Sequence, residues 1–253
     1  MMPVAQPKTN DLVGKIKPSL VKGELLLSPF ELRLLARDAD KIPVPHHRWC
    51  IQGMLAFLNN DDDEGIRLCE QSIEFDPSVA QTWCNYASAL RYRHLLEKEW
   101  EVINRSLEFK GLLSVSYANT LAAYWMDIEL LNRTADIIGS MEMCKRFNDV
   151  QNNLFGNSMV TRQLLLDAGS SVASDLRALA AIVRQVADQE RLPRLKRRVS
   201  CHEGEYAYVY TVDTEDVEYL IKLDDLLFDS IVAAGVKSKN CIAFFEPKSE
   251  DND

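Results

Sequence analysis

The apolar positions of this chain change period along its length, and the changes mark out its regions. Between about residue 28 and residue 190 they recur every three or four residues, as on helices buried along one side. After Arg198 the period falls to two: Tyr206, Tyr208 and Tyr210 alternate with Ala207, Val209 and Thr211, as in a half-buried strand. The spacing predicts a hairpin from 205–212 into 217–223 across the turn Asp213-Thr214-Glu215-Asp216. A helix capped by Asp224 or Asp225 and ended by Gly235 follows, then a last strand over 241–246, giving a small α+β module of ββαβ type. Upstream, Ser28-Pro29-Phe30-Glu31 has the form of a capping box with proline at the first helical position; it opens a helix through about Asp38 that ends before Pro43. Leu176, Leu179, Ile182, Val183 and Val186 share one face of a helix over 171–190, and helices are expected over 145–155 and 158–168, with breaks at Gly156 and Gly169-Ser170-Ser171.

Sliding the chain against itself brings out an offset of 34 residues. Trp49, Trp83 and Tyr117 fall in one column, and Cys50, Cys84 and Ala118 in the next. Ser72-Ile73-Glu74-Phe75 is followed at the same offset by Ser106-Leu107-Glu108-Phe109 and by Ser140-Met141-Glu142-Met143. A helix breaker recurs with them, as Pro43, Pro77 and Gly111.

This pattern resembles the tetratricopeptide repeat, a helix-turn-helix unit with an early tryptophan, small residues at the helix contact and a proline near the end. The first unit carries Trp49, Gly53, Gly65, Ser72 and Asp76-Pro77; the second carries Trp83, Ala87 and Ser106, but Glu99 where the family has a small residue. The third keeps Tyr117 and Ser140, with Leu121 and Arg133 at the small positions. The resemblance covers residues 46–145 and implies a mainly α fold, a solenoid of antiparallel helix pairs in which each pair buries its apolar stripe against the next. In this reading 1–27 is a flexible N-terminal segment and 28–45 an N-capping helix. Residues 146–190 are additional capping helices, 191–198 a basic linker, 199–247 the α+β module and 248–253 a disordered tail.

The same resemblance implies that the first helices of the pairs form a concave wall. By phase that wall carries His47, Cys50, Ile51, Met54 and Phe57, then Gln81, Asn85, Ser88 and Arg91, then Val115, Asn119, Ala122 and Met126. Of these, His47, Met54, Asn85, Ser88, Arg91 and Asn119 are the candidate partner contacts. Asn85 and Asn119 occupy one phase, and an amide both donates to and accepts from an extended backbone; a solvated polar surface is the alternative. Met54 and Phe57 are either apolar anchors for a partner or core. Arg91 alone does not supply the several cations that a clamp for a carboxylate terminus needs.

Composition narrows the chemistry. A net charge of −9 and a pI near 5.1 disfavour a surface that wraps phosphate backbones. Against that background Arg191-Leu192-Pro193-Arg194-Leu195-Lys196-Arg197-Arg198 stands out. It is either a solvated linker or, through Arg194, Lys196, Arg197 and Arg198, a contact for phosphate or an acidic partner. With the three tyrosines as a stacking face it would suit single-stranded nucleic acid, unless those tyrosines are packing pairs. The six cysteines show no metal-ligand spacing and read as reduced core thiols. Asp61-Asp62-Asp63-Glu64 reads as a run that caps a helix N-terminus. No membrane-length apolar run and no secretory leader pattern occur, so a cytoplasmic location is expected. Nucleotide-binding, hydrolase and zinc-protease motifs are missing, so neither cofactor nor metal is expected. The sequence thus points to a non-enzymatic adaptor or chaperone-like scaffold holding a polypeptide partner. The second reading is a regulator that binds nucleic acid through the basic segment and C-terminal module. Apolar residues left exposed on the last helices would serve a homodimer.

Overall fold

The computed structural model describes residues 5–140 and 147–248, with the side chains of 9–140 and 158–248. Among these the chain is mainly helical and ends in a small three-stranded sheet. Its contacts divide into two compact units, Met1–Ser114 and Val115–Asp253. The segments Met141-Glu142-Met143 and 249–253, read above as part of a repeat and as a disordered tail, lie outside the described residues.

The first unit holds α1 (Ala5–Lys22), α2 (Pro29–Ala39), α3 (Pro45–Leu58), α4 (Asp62–Phe75), α5 (Ala80–Tyr92) and α6 (Leu96–Ser106). The capping box of α2 forms: Ser28 Oγ accepts from the Glu31 amide, and the Glu31 carboxylate accepts from the Ser28 amide at 2.8 Å. Those bonds hold the Glu31 carboxyl below its ordinary range.

Helix α1 corrects the expectation of a flexible N-terminal segment. Leu12, Ile16 and Leu20, four residues apart, are all buried, and full burial of each such side chain contributes roughly 1.5–3 kcal/mol. Gly23 at φ +74° ends the helix, its amide donating to the Ser19 carbonyl at 3.0 Å, the usual use of glycine in the left-handed region. Pro18 disguises the helix in the sequence, because a proline inside a helix removes the amide that would reach the carbonyl four residues back.

The offset of 34 returns as geometry. Trp49 meets Phe75 edge-on at 5.6 Å, and Trp83 stacks on Phe109 at 5.8 Å. Asn60 and His94 are both left-handed, and the next amides, of Asp61 and Leu95, return to the carbonyls of Ala56 and Leu90 at 3.0 and 2.9 Å. Helices α3 and α4 approach through glycine. A Cβ on Gly53 would lie 2.5 Å from Cys69 Sγ, and one on Gly65 would lie 2.8 Å from the Phe57 ring. Ser72 Oγ adds a buried bond across the pair, donating to the His46 carbonyl at 2.6 Å. Glu70 then ties neighbouring pairs, accepting from Arg105 Nη2 at 2.9 Å and from the Tyr86 hydroxyl at 3.1 Å. Glu99, at the position equivalent to Gly65, is fully buried.

Helix α7 (Leu112–Tyr124) crosses into the second unit, followed there by α8 (Ile128–Ser140), α9 (Phe147–Ala168) and α10 (Ser170–Gln189). Here the turn comes two residues early: Met126 is left-handed and the Asp127 amide returns to the Ala122 carbonyl at 2.9 Å. Gly156 is no break, since α9 runs through it, whereas Gly169 at φ +85° does separate α9 from α10.

The sheet contains β1 (Arg197–His202), β2 (Glu205–Val212) and β3 (Cys241–Pro247), with α11 (Val217–Ala233) between β2 and β3. The element order is the expected strand, strand, helix, strand, but the hairpin lies one strand earlier. Strands β1 and β2 pair antiparallel across Glu203-Gly204, both left-handed, and β3 joins β2 in parallel. Residues 217–223 are helical, not a strand. Asp216, rather than Asp224 or Asp225, caps them by accepting from the Glu218 and Tyr219 amides, while Asp224 accepts from the Phe245 amide of β3 at 2.9 Å. The buried face is Leu223 and Leu227, one helical turn apart.

Two glycines are expected to respond with opposite sign. Gly65→Ala presses on the buried Phe57 ring and should destabilise by about 1–3 kcal/mol. Gly14→Ala, in α1 where a Cβ meets nothing within 4 Å, should stabilise by about 0.5–1 kcal/mol. Thermal melting of the two variants beside wild type checks both signs.

Candidate functional site

Helices α3 and α5 lie side by side, and α1 lies against both. Between them is a cavity of about 530 Å³ lined by His47, Cys50, Met54, Asn85, Ser88 and Arg91 from the wall and by Val13, Gly14, Lys17 and Leu20 from α1. Five of the six sequence-predicted contacts, His47, Met54, Asn85, Ser88 and Arg91, are thus brought to one cavity.

The sixth is not. Asn119 is buried, and its amide nitrogen donates to Thr134 Oγ1 of α8 at 2.8 Å. Val115, Ala122 and Met126, placed with it on a concave wall, are fully buried as well. A shared phase in the sequence puts Asn85 and Asn119 on equivalent helical positions; what packs over each position decides whether the amide is reachable.

Around the cavity each side chain has a distinct state. Met54 is 1% exposed and lies beneath α1. Asn85 Oδ1 accepts from Gln81 Nε2 at 2.8 Å, and its Nδ2 points to Cys50 Sγ at 3.8 Å, a weak acceptor. Ser88 Oγ donates back to the Cys84 carbonyl at 2.8 Å. The half-buried guanidinium of Arg91 makes no ion pair or hydrogen bond among the described residues. Burial, chiefly, lowers the pKa of His47, with the neighbouring His46 adding to it. Burial pushes the Cys50 thiol up to about 12 and the Cys84 thiol up to about 11, far from the thiolate that nucleophilic chemistry requires. Among the described residues no cluster of His, Cys, Asp or Glu is arranged to hold a metal ion. The cavity offers apolar contact, amide and hydroxyl groups and the Arg91 cation.

The basic segment is not a free linker. Arg197 and Arg198 open β1. Arg197 Nη2 donates to the Ala123 carbonyl at 2.8 Å and to Thr161 Oγ1 at 2.9 Å, and desolvation lowers its pKa. Arg198 pairs with Glu246 at 2.9 Å, and Arg194 lies over the Tyr124 ring at 5.4 Å. Lys196 is exposed. Two of the three tyrosines are closed off as well: Tyr208 and Tyr210 are fully buried, donating to the carbonyls of Tyr124 and Pro193 at 3.1 and 3.0 Å, while Tyr206 is half-buried. Tyr210 also stacks on Trp125 at 5.9 Å. The rings of Tyr208 and Tyr210 are core, out of reach of a nucleic-acid base.

Two features escaped the sequence reading. One is α1, which the spacing of Leu12, Ile16 and Leu20 and the glycine at 23 could have revealed. The other is the outer face of α11, where Val217, Ile221, Phe228 and Val232 are each more than half exposed. No helix among the described residues is long and apolar enough to cross a membrane. The chain matches no protein-family model, no curated protein and no solved structure.

The two kinds of basic residue are separable by stability. Arg197→Ala removes a charged donor from two buried acceptors and should destabilise by about 1.5–3 kcal/mol. Lys196→Ala should stay within about 0.5 kcal/mol of wild type. Urea midpoints report the difference.

Proposed function

We propose that this chain is a non-enzymatic, protein-binding adaptor or chaperone-like scaffold of tetratricopeptide type, and that the α3–α5 wall is where it holds a partner polypeptide. In this proposal the helix pairs are α-solenoid repeats, and the small C-terminal module completes the chain rather than performing chemistry. One observation carries most weight: the wall gathers His47, Asn85, Ser88 and Arg91 around an apolar floor that includes Met54. Such a floor with a polar rim is the composition of a surface that anchors side chains and orients a backbone. The paired left-handed turns at Asn60 and His94 and the paired Trp–Phe contacts support the repeat reading, because they are local consequences of one recurring unit.

The test is affinity capture from an extract of the source cells with wild type beside a His47→Ala, Asn85→Ala, Arg91→Ala variant. Equal folding is first established by circular dichroism and melting. Wild type is expected to retain one or a few proteins that the variant loses. Identical retention by both would remove the wall from consideration.

A further inference from the structure

We infer that α1 is an exchangeable occupant of the α3–α5 wall, and that the partner it stands in for is an amphipathic helix carrying an acidic residue where α1 carries Lys17. This rests on the reading of that wall as a binding surface and names what the surface takes.

The chemistry the wall accepts is visible in what lies on it. Helix α1 buries Leu12, Ile16 and Leu20 at four-residue spacing, and Leu20, with Val13 beside it, lines the cavity against the wall. Apolar anchors at such spacing are how an amphipathic helix fills a groove. The fit is incomplete: a cavity of about 530 Å³ remains beside α1, and a Cβ on Gly14 would touch nothing within 4 Å. Electrostatically α1 is a poor occupant as well. Lys17 lines the same cavity as Arg91, and Arg91 has no acidic partner among the described residues, so α1 brings a second cation where a carboxylate belongs. A short tether, from Gly23 to the cap at Ser28, joins α1 to the next helix and includes Leu25 and Leu26, each 45% exposed. Release of α1 would break the bond from the Leu26 amide to Ser19 Oγ and require the tether to re-aim.

The experiment uses the whole chain with a protease recognition sequence inserted after Gly23, cut after folding so that α1 stays bound without a covalent link. A fluorescent peptide of residues 5–22 is then titrated in and followed by anisotropy, beside the same peptide carrying Lys17→Glu. Saturable exchange is expected, with the Lys17→Glu peptide binding roughly fivefold tighter, the scale of a partly exposed ion pair. Arg91→Glu in the cut protein should reverse that preference, a response that a purely structural role for α1 does not produce. Two results overturn the inference: no entry of either peptide up to millimolar concentration while the cut protein keeps its native circular dichroism, or unfolding of the cut protein as α1 dissociates. Equal affinity for the two peptides, unchanged by Arg91→Glu, overturns the acidic-partner assignment. Each leaves the capture comparison of wild type and wall variant free to succeed, so failure here is distinct from failure of the scaffold reading.

Discussion

The close approach of α3 and α4 is the constraint on which the first unit depends. Gly53 against Cys69 and Gly65 against the Phe57 ring leave no room for a β-carbon, so the two helices meet nearly backbone to side chain. That contact fixes the direction of α3, and the direction of α3 fixes which side chains remain to face α5 and α1. In protein interiors packed as densely as organic crystals, a displacement of one methyl group at such a point is transmitted rather than absorbed. The second pair solves the same problem with Ala87 in place of Gly53 and a buried Glu99 in place of Gly65.

Once α3 and α5 are set side by side, their remaining face is too apolar to be left in water. Cys50, Ile51 and Met54 are all at most 3% exposed, and α1 lies over the wall to which they belong. The N-terminal helix therefore has two physical roles. It covers apolar surface of α3 and α5, and it keeps the polar rim of His47, Asn85, Ser88 and Arg91 only partly accessible. In the proposed scaffold reading, such a cover protects the wall from indiscriminate contact, and the affinity of a partner is set by the difference between its contacts and those of the cover.

The second unit is organised around buried polar and aromatic groups. Arg184, 8% exposed, lies 5.7 Å over the Trp125 ring, which stacks on Tyr210. Arg197 satisfies the carbonyl of Ala123 near the end of α7, where the last carbonyls of a helix lack intrahelical partners. The tyrosines of β2 reach carbonyls with their hydroxyls while their rings fill the core. A cationic stretch that looks solvated in an acidic sequence is thereby drawn into hydrogen bonding and ring contacts, and its availability to a phosphate ligand falls accordingly. Uncovered apolar side chains of this unit lie instead on α11, opposite Leu223 and Leu227, and on α9 at Met159, Val160 and Leu166.

What the sequence by itself determined is what depends on neighbours along the chain. The capping box at Ser28, the capping run at Asp61, the helix pairs and the strands at 205–212 and 241–246 were legible, because caps and periodicity are local. It also marked five side chains that the fold collects around one cavity, since a phase on one helix carries to its neighbour when the two run side by side. Tertiary structure alone decided the rest. Residues 217–223 carry apolar side chains at a spacing of two as well as at a helical one, and burial of Leu223 and Leu227 on one helical face chose the helix. Asn85 and Asn119 share a phase, yet one rims a cavity and the other is sealed against Thr134. The helix of Leu12, Ile16 and Leu20 could be read from its spacing, but its place against α3 and α5 was decided by the face those helices offered. Burial is a property of what lies opposite a side chain, and nothing within a single segment specifies that.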